Sequence, residues 1–115
     1  MHAMIKATGP LCNLSCDYCY YLSKEALLET GSRWRISDET LENFVRQYIE
    51  QRNARQVVLL WQGGEPSSMG LDCFRKAVAL QNKYAPAHVR IENDLQTNGT
   101  LLDDEWYEFL RENNF

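Results

Sequence analysis

Three of the four cysteines in this 115-residue chain, Cys12, Cys16 and Cys19, lie within eight residues of one another, and Cys73 stands alone. The disulfide framework of a secreted protein distributes its cysteines so that they join distant segments. Thiols this close together in the chain join nothing distant. The spacing therefore indicates a reducing compartment and a role in metal binding or catalysis.

The pattern Cys-x3-Cys-x2-Cys formed by Cys12, Cys16 and Cys19 suits an iron–sulfur cluster, because thiolates are soft, negatively charged ligands. One loop with this spacing can reach three irons of a [4Fe–4S] cubane and leaves the fourth without a protein ligand. An electron-transfer ferredoxin uses four cysteines for each cluster. An open coordination position is instead what a catalyst requires.

A structural zinc site is the alternative interpretation of the same cysteines. It requires a fourth ligand, and the candidates elsewhere in the chain are His2, His88 and Cys73. None of them stands at a zinc-finger spacing from the cysteine motif, so the iron–sulfur interpretation is favoured. Cys73 falls on the inner side of a predicted helix and is interpreted as a small buried hydrophobic residue.

Strands and helices alternate along the chain. Apolar runs predict strands over residues 4–8, 57–61 and 89–96. Helical periodicity predicts helices over residues 38–52, 71–84 and from 103 onwards, with a short helix at 25–29 and a turn at 31–32. This order predicts an α/β fold whose three consecutive strand–helix units share a parallel sheet. Three such units make an open half-barrel, which leaves one parallel edge exposed.

Length and composition are those of a single compact domain. The hydrophobic content is 44%, the charged content 24% and the formal net charge -4, which argues against a general affinity for nucleic acid. There is no run of about 18 apolar residues that could span a membrane. The first residues lack the features of a secretory signal, so a cytoplasmic location is predicted. We interpret residues 1–115 as the N-terminal part of a longer protein, with a complete three-layer domain as the alternative.

Two motifs together resemble the radical S-adenosylmethionine superfamily. Tyr18 gives the cysteine motif an aromatic residue before its third cysteine, and Gly63-Gly64-Glu65-Pro66 follows the second predicted strand. Paired glycines let a backbone approach a ligand and leave carbonyl groups free to accept ammonium protons. Residues 12–21, 61–66 and 95–102 look like the anaerobic sulfatase-maturating enzymes, or arylsulfatase regulators, whose C-terminal region is a SPASM domain. The resemblance covers essentially the whole chain and implies that its three strand–helix units are the first half of a partial, six-unit TIM-like barrel.

The resemblance implies roles for the residues at matching positions. The ligands of a [4Fe–4S] cluster would be Cys12, Cys16 and Cys19. The residues that contact S-adenosylmethionine would be Tyr18, beside the adenine, and Gly63, Gly64 and Glu65, at the methionine end. The residues that contact a peptide substrate would be Tyr21, Gln62, Gln96 and Asn98. The aspartate that the family uses as a base would lie beyond residue 115, so no catalytic residue is assigned within the chain.

The activity that the resemblance implies is oxidation of one cysteine or serine of a sulfatase to Cα-formylglycine. A 5′-deoxyadenosyl radical, made by reductive cleavage of S-adenosylmethionine, would begin the reaction. The implied partners are the sulfatase polypeptide and an electron donor such as flavodoxin or ferredoxin, with no nucleic acid and no membrane. Without the later barrel strands and the SPASM domain, the chain alone is predicted to be inactive.

Two alternatives stay open at this point. One is another SPASM-type radical enzyme that modifies peptides by forming thioether or carbon–carbon crosslinks. The other is a non-catalytic module that binds an iron–sulfur cluster or zinc. The response of a reconstituted cluster to S-adenosylmethionine separates the module from both enzymes.

Overall fold

The computed structural model describes residues 3–27 and 35–115 as an α/β arrangement. Its strands are β1 (Ala3–Ile5), β2 (Gln56–Trp61) and β3 (Arg90–Leu95). Its helices are α1 (Leu22–Leu27), α2 (Asp38–Glu50), α3 (Leu71–Tyr84) and α4 (Asp104–Glu112), and a short 3₁₀ helix (Pro66–Met69) precedes α3. In the part of the chain described, no helix has the length and apolar character needed to cross a membrane.

The three strands form one parallel sheet in the order β1-β2-β3. The last residues of the strands stand side by side, Ile5 opposite Trp61 and Trp61 opposite Leu95. The ladder continues one residue further, since the N–H of Gln62 donates to the carbonyl of Ile5 at 3.0 Å and that of Gln96 to the carbonyl of Trp61 at 2.9 Å. The segments that follow the three strands therefore begin at one edge of the sheet, as the predicted parallel order requires.

Helix caps and apolar faces explain where the helices lie. Ser37 caps α2 by accepting from the N–H of Thr40 at 3.1 Å, and Asp103 caps α4 by accepting from the N–H of Trp106 at 3.0 Å. Such caps satisfy backbone donors that have no partner within the helix. The buried face of α2 consists of Leu41, Val45 and Ile49, which are spaced four residues apart, as the apolar stripe of an amphipathic helix is.

The helices cover one face of the sheet. Val57, Leu59 and Trp61 of β2 are buried on that face, and the ring of Trp61 lies 5.1 Å from that of Phe74 on α3. The alternate residue Leu60 is only half-buried. β2 is therefore buried more deeply on the face that packs against α3 than on the opposite face.

The end of β2 is fixed by a buried polar cluster. The indole N–H of Trp61 donates to Oδ1 of Asn93 on β3 at 2.9 Å. Asn93 and Gln81 of α3 exchange two further hydrogen bonds of 2.9 and 3.0 Å. Buried polar groups that are fully paired in this way favour one packing arrangement over others. The cluster thereby holds β2, β3 and α3 in a fixed relation close to the sheet edge.

Two predicted boundaries differ from the structure. The first strand ends at Ile5 rather than at residue 8, because the chain turns there and the N–H of Gly9 donates to the carbonyl of Lys6 at 2.9 Å. The short helix predicted at 25–29 is found at Leu22–Leu27. Residues 28–29 of that prediction and the turn predicted at 31–32 lie outside the described residues.

Candidate functional site

The predicted cluster ligands lie in the cysteine loop, residues 6–21 between β1 and α1, which contains turns but no regular strand or helix. Cys12 is exposed, and Cys16 and Cys19 are partly exposed. The N–H of Cys19 donates to the carbonyl of Cys16 at 2.8 Å, and the N–H of Leu22 donates to the carbonyl of Cys19 at 3.3 Å. Because Leu22 begins α1, these bonds tie the last two cysteines to a helix.

All three cysteines line one cavity of about 310 Å³ at the carboxyl edge of the sheet. Gly63 and Gly64, which follow β2, form another part of its wall. The remaining predicted site residues that line this cavity are Tyr18, Tyr21, Gln96 and Asn98. The structure thus brings nine predicted site residues, drawn from the segments after all three strands, to one place.

Gly63 and Gly64 are required by contact with the cysteine loop. A Cβ atom at Gly64 would stand 2.0 Å from the carbonyl oxygen of Leu11, and one at Gly63 would stand 2.7 Å from that of Gly9. The N–H of Gly64 donates to the Gly9 carbonyl at 2.9 Å, and the N–H of Glu65 donates to the Leu11 carbonyl at 2.8 Å. The close approach that paired glycines permit is therefore made first of all to the protein's own backbone, at the start of the cysteine motif.

Glu65 is buried, with 1% of its surface exposed, and its carboxylate connects two loops. Oε1 accepts from the N–H of Ser67 at 2.9 Å and from the hydroxyl of Thr97 at 2.7 Å. Oε2 accepts from the N–H of Asn98 at 2.7 Å. Burial opposes ionisation, but these hydrogen bonds outweigh it and lower the pKa of Glu65. Glu65 does not line the cavity, so in this structure its side chain fixes the loop after β3 to the loop after β2.

Glu65→Gln is expected to lower the free energy of unfolding at neutral pH by about 2 kcal/mol, because an amide NH₂ would face a backbone N–H in place of a charged acceptor. The exposed Glu108→Gln on α4 is the matched control and should change little. Urea denaturation of both variants at several pH values measures the effect.

The pH dependence of stability gives a second readout for Glu65. Its pKa is lower in the folded protein, so its contribution is complete above the unfolded value of about 4.3 and is lost as the pH falls through the folded value. The difference in the free energy of unfolding between the wild type and Glu65→Gln should therefore become smaller below about pH 4.3. Equal stability of the two proteins at neutral pH would contradict the role of the carboxylate.

Asn98 lies against the cysteine loop. Its side-chain amide donates to Oδ1 of Asn13 at 2.9 Å and is 3.7 Å from the sulfur of Cys12. The amide of Asn13 in turn donates to the hydroxyl of Thr100 at 2.9 Å. The loop after β3 is thereby joined to the loop after β1 across the cavity edge.

The tyrosines of the cysteine loop present their rings at the surface. Tyr18 is 91% exposed, and interaction with Cys16 raises the pKa of its hydroxyl. Tyr20 and Tyr21 form an edge-to-face pair with ring centres 5.5 Å apart, and the ammonium group of Lys6 lies 5.1 Å from the centre of the Tyr21 ring. Such contacts orient aromatic rings at a surface.

The two predicted glutamines differ in position. Gln96 is exposed and lines the cavity, whereas Gln62 is half-buried and its amide contacts the sulfur of Met4. Gln62 is therefore at the predicted sheet edge but outside the cavity wall.

Asn13, Thr97 and Thr100 take part in the site although the sequence interpretation assigned them no role. Each is hydrogen-bonded to Asn98 or to Glu65. Two sequence signals could have indicated them. Asn13 stands inside the cysteine motif, and the polar run after β3 begins at the carboxyl edge of a parallel sheet, where binding residues concentrate.

The donor set, three thiols on one loop, has the chemistry of an iron–sulfur ligand set. Within residues 3–27 and 35–115, no three side chains of His, Cys, Asp or Glu stand close enough together to hold one metal ion. Three sulfur atoms on one zinc, each at about 2.3 Å, would stand about 4 Å from one another. In a cubane each thiolate binds a different iron, and all three cysteines here line the same cavity.

The cavity lined by thiols lies at the carboxyl ends of parallel strands. This arrangement is typical of α/β proteins that bind a cofactor at that edge of the sheet. Residues 7–115 match the family model of the Radical SAM superfamily. This match takes in all three cysteines of the cysteine loop, the Gly63-Gly64-Glu65 motif, β2 and β3. The chain belongs to the Radical SAM superfamily.

Several curated relatives are anaerobic sulfatase-maturating enzymes. A serine-type enzyme of Bacteroides thetaiotaomicron is 47% identical over 115 residues, which are 100% of this chain and 28% of the relative. A cysteine-type enzyme of Clostridium perfringens is 40% identical over 112 residues, which are 97% of this chain and 30% of the relative. The chain thus spans less than a third of the length of these relatives.

Solved structures show the same fold. Native anSMEcpe with bound AdoMet is 41% identical with a TM-score of 0.85, and the match covers 97% of this chain and 29% of that one. Native anSMEcpe with bound AdoMet and Kp18Cys peptide is 40% identical with a TM-score of 0.84, over 96% of this chain and 28% of that one. The predicted fold, parallel strand–helix units of a partial TIM-like barrel, is confirmed.

Proposed function

We propose that this chain is the cluster- and cofactor-binding part of a radical S-adenosylmethionine enzyme that oxidises a cysteine or serine of a sulfatase to Cα-formylglycine. The observation that carries the proposal is the single cavity that joins Cys12, Cys16 and Cys19 to Gly63 and Gly64. The sulfatase-maturating relatives, of both serine and cysteine type, support the choice of reaction.

The three thiols are the residues that would hold a [4Fe–4S] cluster. They are soft donors, they face one cavity, and their number leaves one iron open for a small ligand. A bound cluster would supply one electron to S-adenosylmethionine, whose S–C5′ bond would break to give methionine and a 5′-deoxyadenosyl radical. The protein's part is to fix the loop, which it does through the hydrogen bonds from Gly64 and Glu65 to residues 9–11.

S-adenosylmethionine would lie along Gly63 and Gly64, with the ring of Tyr18 available for the adenine. Tyr18 is almost fully exposed, so its face can stack on a planar base without displacing other side chains. Glu65 contributes by holding the backbone of this segment, since its carboxylate already accepts hydrogen bonds from Ser67, Thr97 and Asn98.

A sulfatase polypeptide is the proposed substrate, in keeping with the peptide that accompanies AdoMet in one similar structure. Tyr21, Gln62 and Gln96 belong to segments at the same sheet edge, where amide and hydroxyl groups can pair with the N–H and carbonyl groups of an extended peptide. An electron donor such as flavodoxin or ferredoxin and a cytoplasmic location complete the proposal.

Residues 1–115 are proposed to be the N-terminal part of the radical SAM domain, with the remaining barrel strands and the SPASM domain in the rest of the protein. The share of the relatives that the chain covers, 28 to 30%, supports this division. The base that receives the substrate's proton is then outside residues 1–115, and the chain alone is expected to bind the cofactors without completing the reaction.

Anaerobic reconstitution with iron and sulfide tests the proposal. The chain should become brown and hold about four irons, as one [4Fe–4S] cluster requires, and its EPR spectrum should change when S-adenosylmethionine is added. A sulfatase peptide incubated with this mixture and a reductant should show no formylglycine by mass spectrometry. The control is the same chain treated with sulfide alone.

Three outcomes would contradict parts of the proposal. A colourless protein that holds one zinc would show that the three cysteines form a structural zinc site and do not bind a cluster. A cluster whose EPR spectrum is indifferent to S-adenosylmethionine would reduce the chain to a binding module. Formylglycine made by the chain alone would contradict its assignment as an incomplete enzyme.

A further inference from the structure

The sulfur of Cys12 has two nitrogen donors beside it. The backbone N–H of Leu14 is 3.4 Å from Sγ and the side-chain amide of Asn98 is 3.7 Å from it. The thiol itself lies 3.8 Å from Oδ1 of Asn13. A thiol that becomes a metal-bound thiolate loses its proton and with it the capacity to donate to Asn13. The two N–H groups then remain as donors to a negatively charged sulfur.

The orientation of the Asn98 amide is set by its neighbours. Oδ1 accepts from the backbone N–H of Thr100 at 3.0 Å and from the Thr100 hydroxyl at 2.8 Å. A backbone N–H can only donate, so the atom facing it is the oxygen and the NH₂ group must face Cys12. The backbone of Asn98 is also held, because its N–H donates to Glu65 at 2.7 Å. Asn98 is thus fixed at two points with its NH₂ toward the sulfur.

We propose that Asn98 is a positioning residue that raises the reduction potential of the cluster through its N–H···S contact with Cys12. The inference rests on the proposed function and gives Asn98 a role in addition to the predicted contact with a peptide substrate. Hydrogen bonds to the cysteine sulfur atoms of an iron–sulfur cluster are one of the factors that set its potential. A donor placed against the sulfur stabilises the reduced state more than the oxidised one, because the reduced cluster carries one more negative charge.

Potentiometric titration of the reconstituted chain, followed by EPR, tests the inference. Asn98→Leu removes the donor. The ratio of reduced to oxidised cluster at a fixed applied potential should therefore fall at least about threefold, which corresponds to a reduction potential lower by about 28 mV for a one-electron couple. Asn98→Asp keeps an oxygen for Thr100 but places a carboxylate near the sulfur, so its ratio should fall further.

Thr100→Val is the matched control. It removes the hydroxyl bonds to Asn98 and Asn13 but keeps the backbone N–H that orients the Asn98 amide. Its ratio should stay within about threefold of the wild type, because the donor to Cys12 is unchanged. Iron content is measured for each variant, so that every ratio refers to a loaded cluster.

Two results would overturn the inference. One is a loaded Asn98→Leu cluster whose ratio equals that of the wild type. The other is loss of the cluster in both Asn98 variants while Thr100→Val retains it, since Asn98 would then act in assembly of the loop. Failure of the wild type itself to take up a cluster is a distinct result that overturns the proposed function.

Discussion

Gly64→Ala is expected to abolish cluster loading and to lower the free energy of unfolding by about 3 kcal/mol or more. The added Cβ would stand 2.0 Å from the carbonyl oxygen of Leu11 and 2.4 Å from that of Pro10. Both obstacles are backbone atoms, so no change of rotamer relieves the contact. The segment just before the cysteine motif has to move away, which breaks the hydrogen bonds from Gly64 to Gly9 and from Glu65 to Leu11. Urea denaturation and iron content measure the two effects.

Gly70→Ala is the control that separates strain from contact. Gly70 has φ +83°, a conformation that costs a side chain about 1–3 kcal/mol, but nothing lies within 4 Å of a Cβ placed there. This variant should lose stability and still load its cluster at a temperature where it is folded. A Gly64→Ala protein with full iron content would show that the segment after β2 does not fix the cysteine loop.

Cys16→Ser is expected to eliminate the visible absorbance of the reconstituted cluster. It replaces a soft thiolate by a hydroxyl that stays protonated at neutral pH, so two thiolates remain for a group that needs three. The measurement is iron and sulfide content after anaerobic reconstitution, compared with the wild type prepared in parallel.

Cys73→Ser is the matched control for the cysteine prediction. Cys73 is partly buried on α3, and burial raises the pKa of its thiol, which makes it a poor candidate for a metal-bound thiolate. Its substitution should leave iron content unchanged. If Cys73→Ser lost the cluster and Cys16→Ser kept it, the assignment of Cys12, Cys16 and Cys19 as the cluster ligands would be wrong.

The parts of the fold that depend on local sequence could be predicted. Helical periodicity placed α2 correctly, with Leu41, Val45 and Ile49 on its buried face, and the alternation of strands with helices predicted the parallel order of the sheet. The cysteine motif was found because its residues are close in the chain. The predicted end of β1 was wrong because the turn at Lys6–Gly9 depends on a hydrogen bond that an apolar run does not reveal.

The contacts that organise the site could not be predicted, because they join residues far apart in the chain. Asn98 and Cys12 are separated by 86 positions, and Glu65 and Asn98 by 33. A Gly-Gly pair after a strand suggests space for a ligand, and only the folded chain shows that the carbonyl of Leu11 stands where a side chain of Gly64 would be. The burial of the Glu65 carboxylate could not be predicted either, because a glutamate in a loop is ordinarily exposed.

The distance in the chain between Cys12 and Asn98 has a consequence for biosynthesis. A ribosome that adds about 5–20 residues per second produces Asn98 about 4–17 s after Cys12. During that interval the cysteines have emerged without the segments after β2 and β3 that hold their loop. Metal delivery in the cell is therefore expected to follow translation of these segments, and the nascent thiols have to be kept reduced until then.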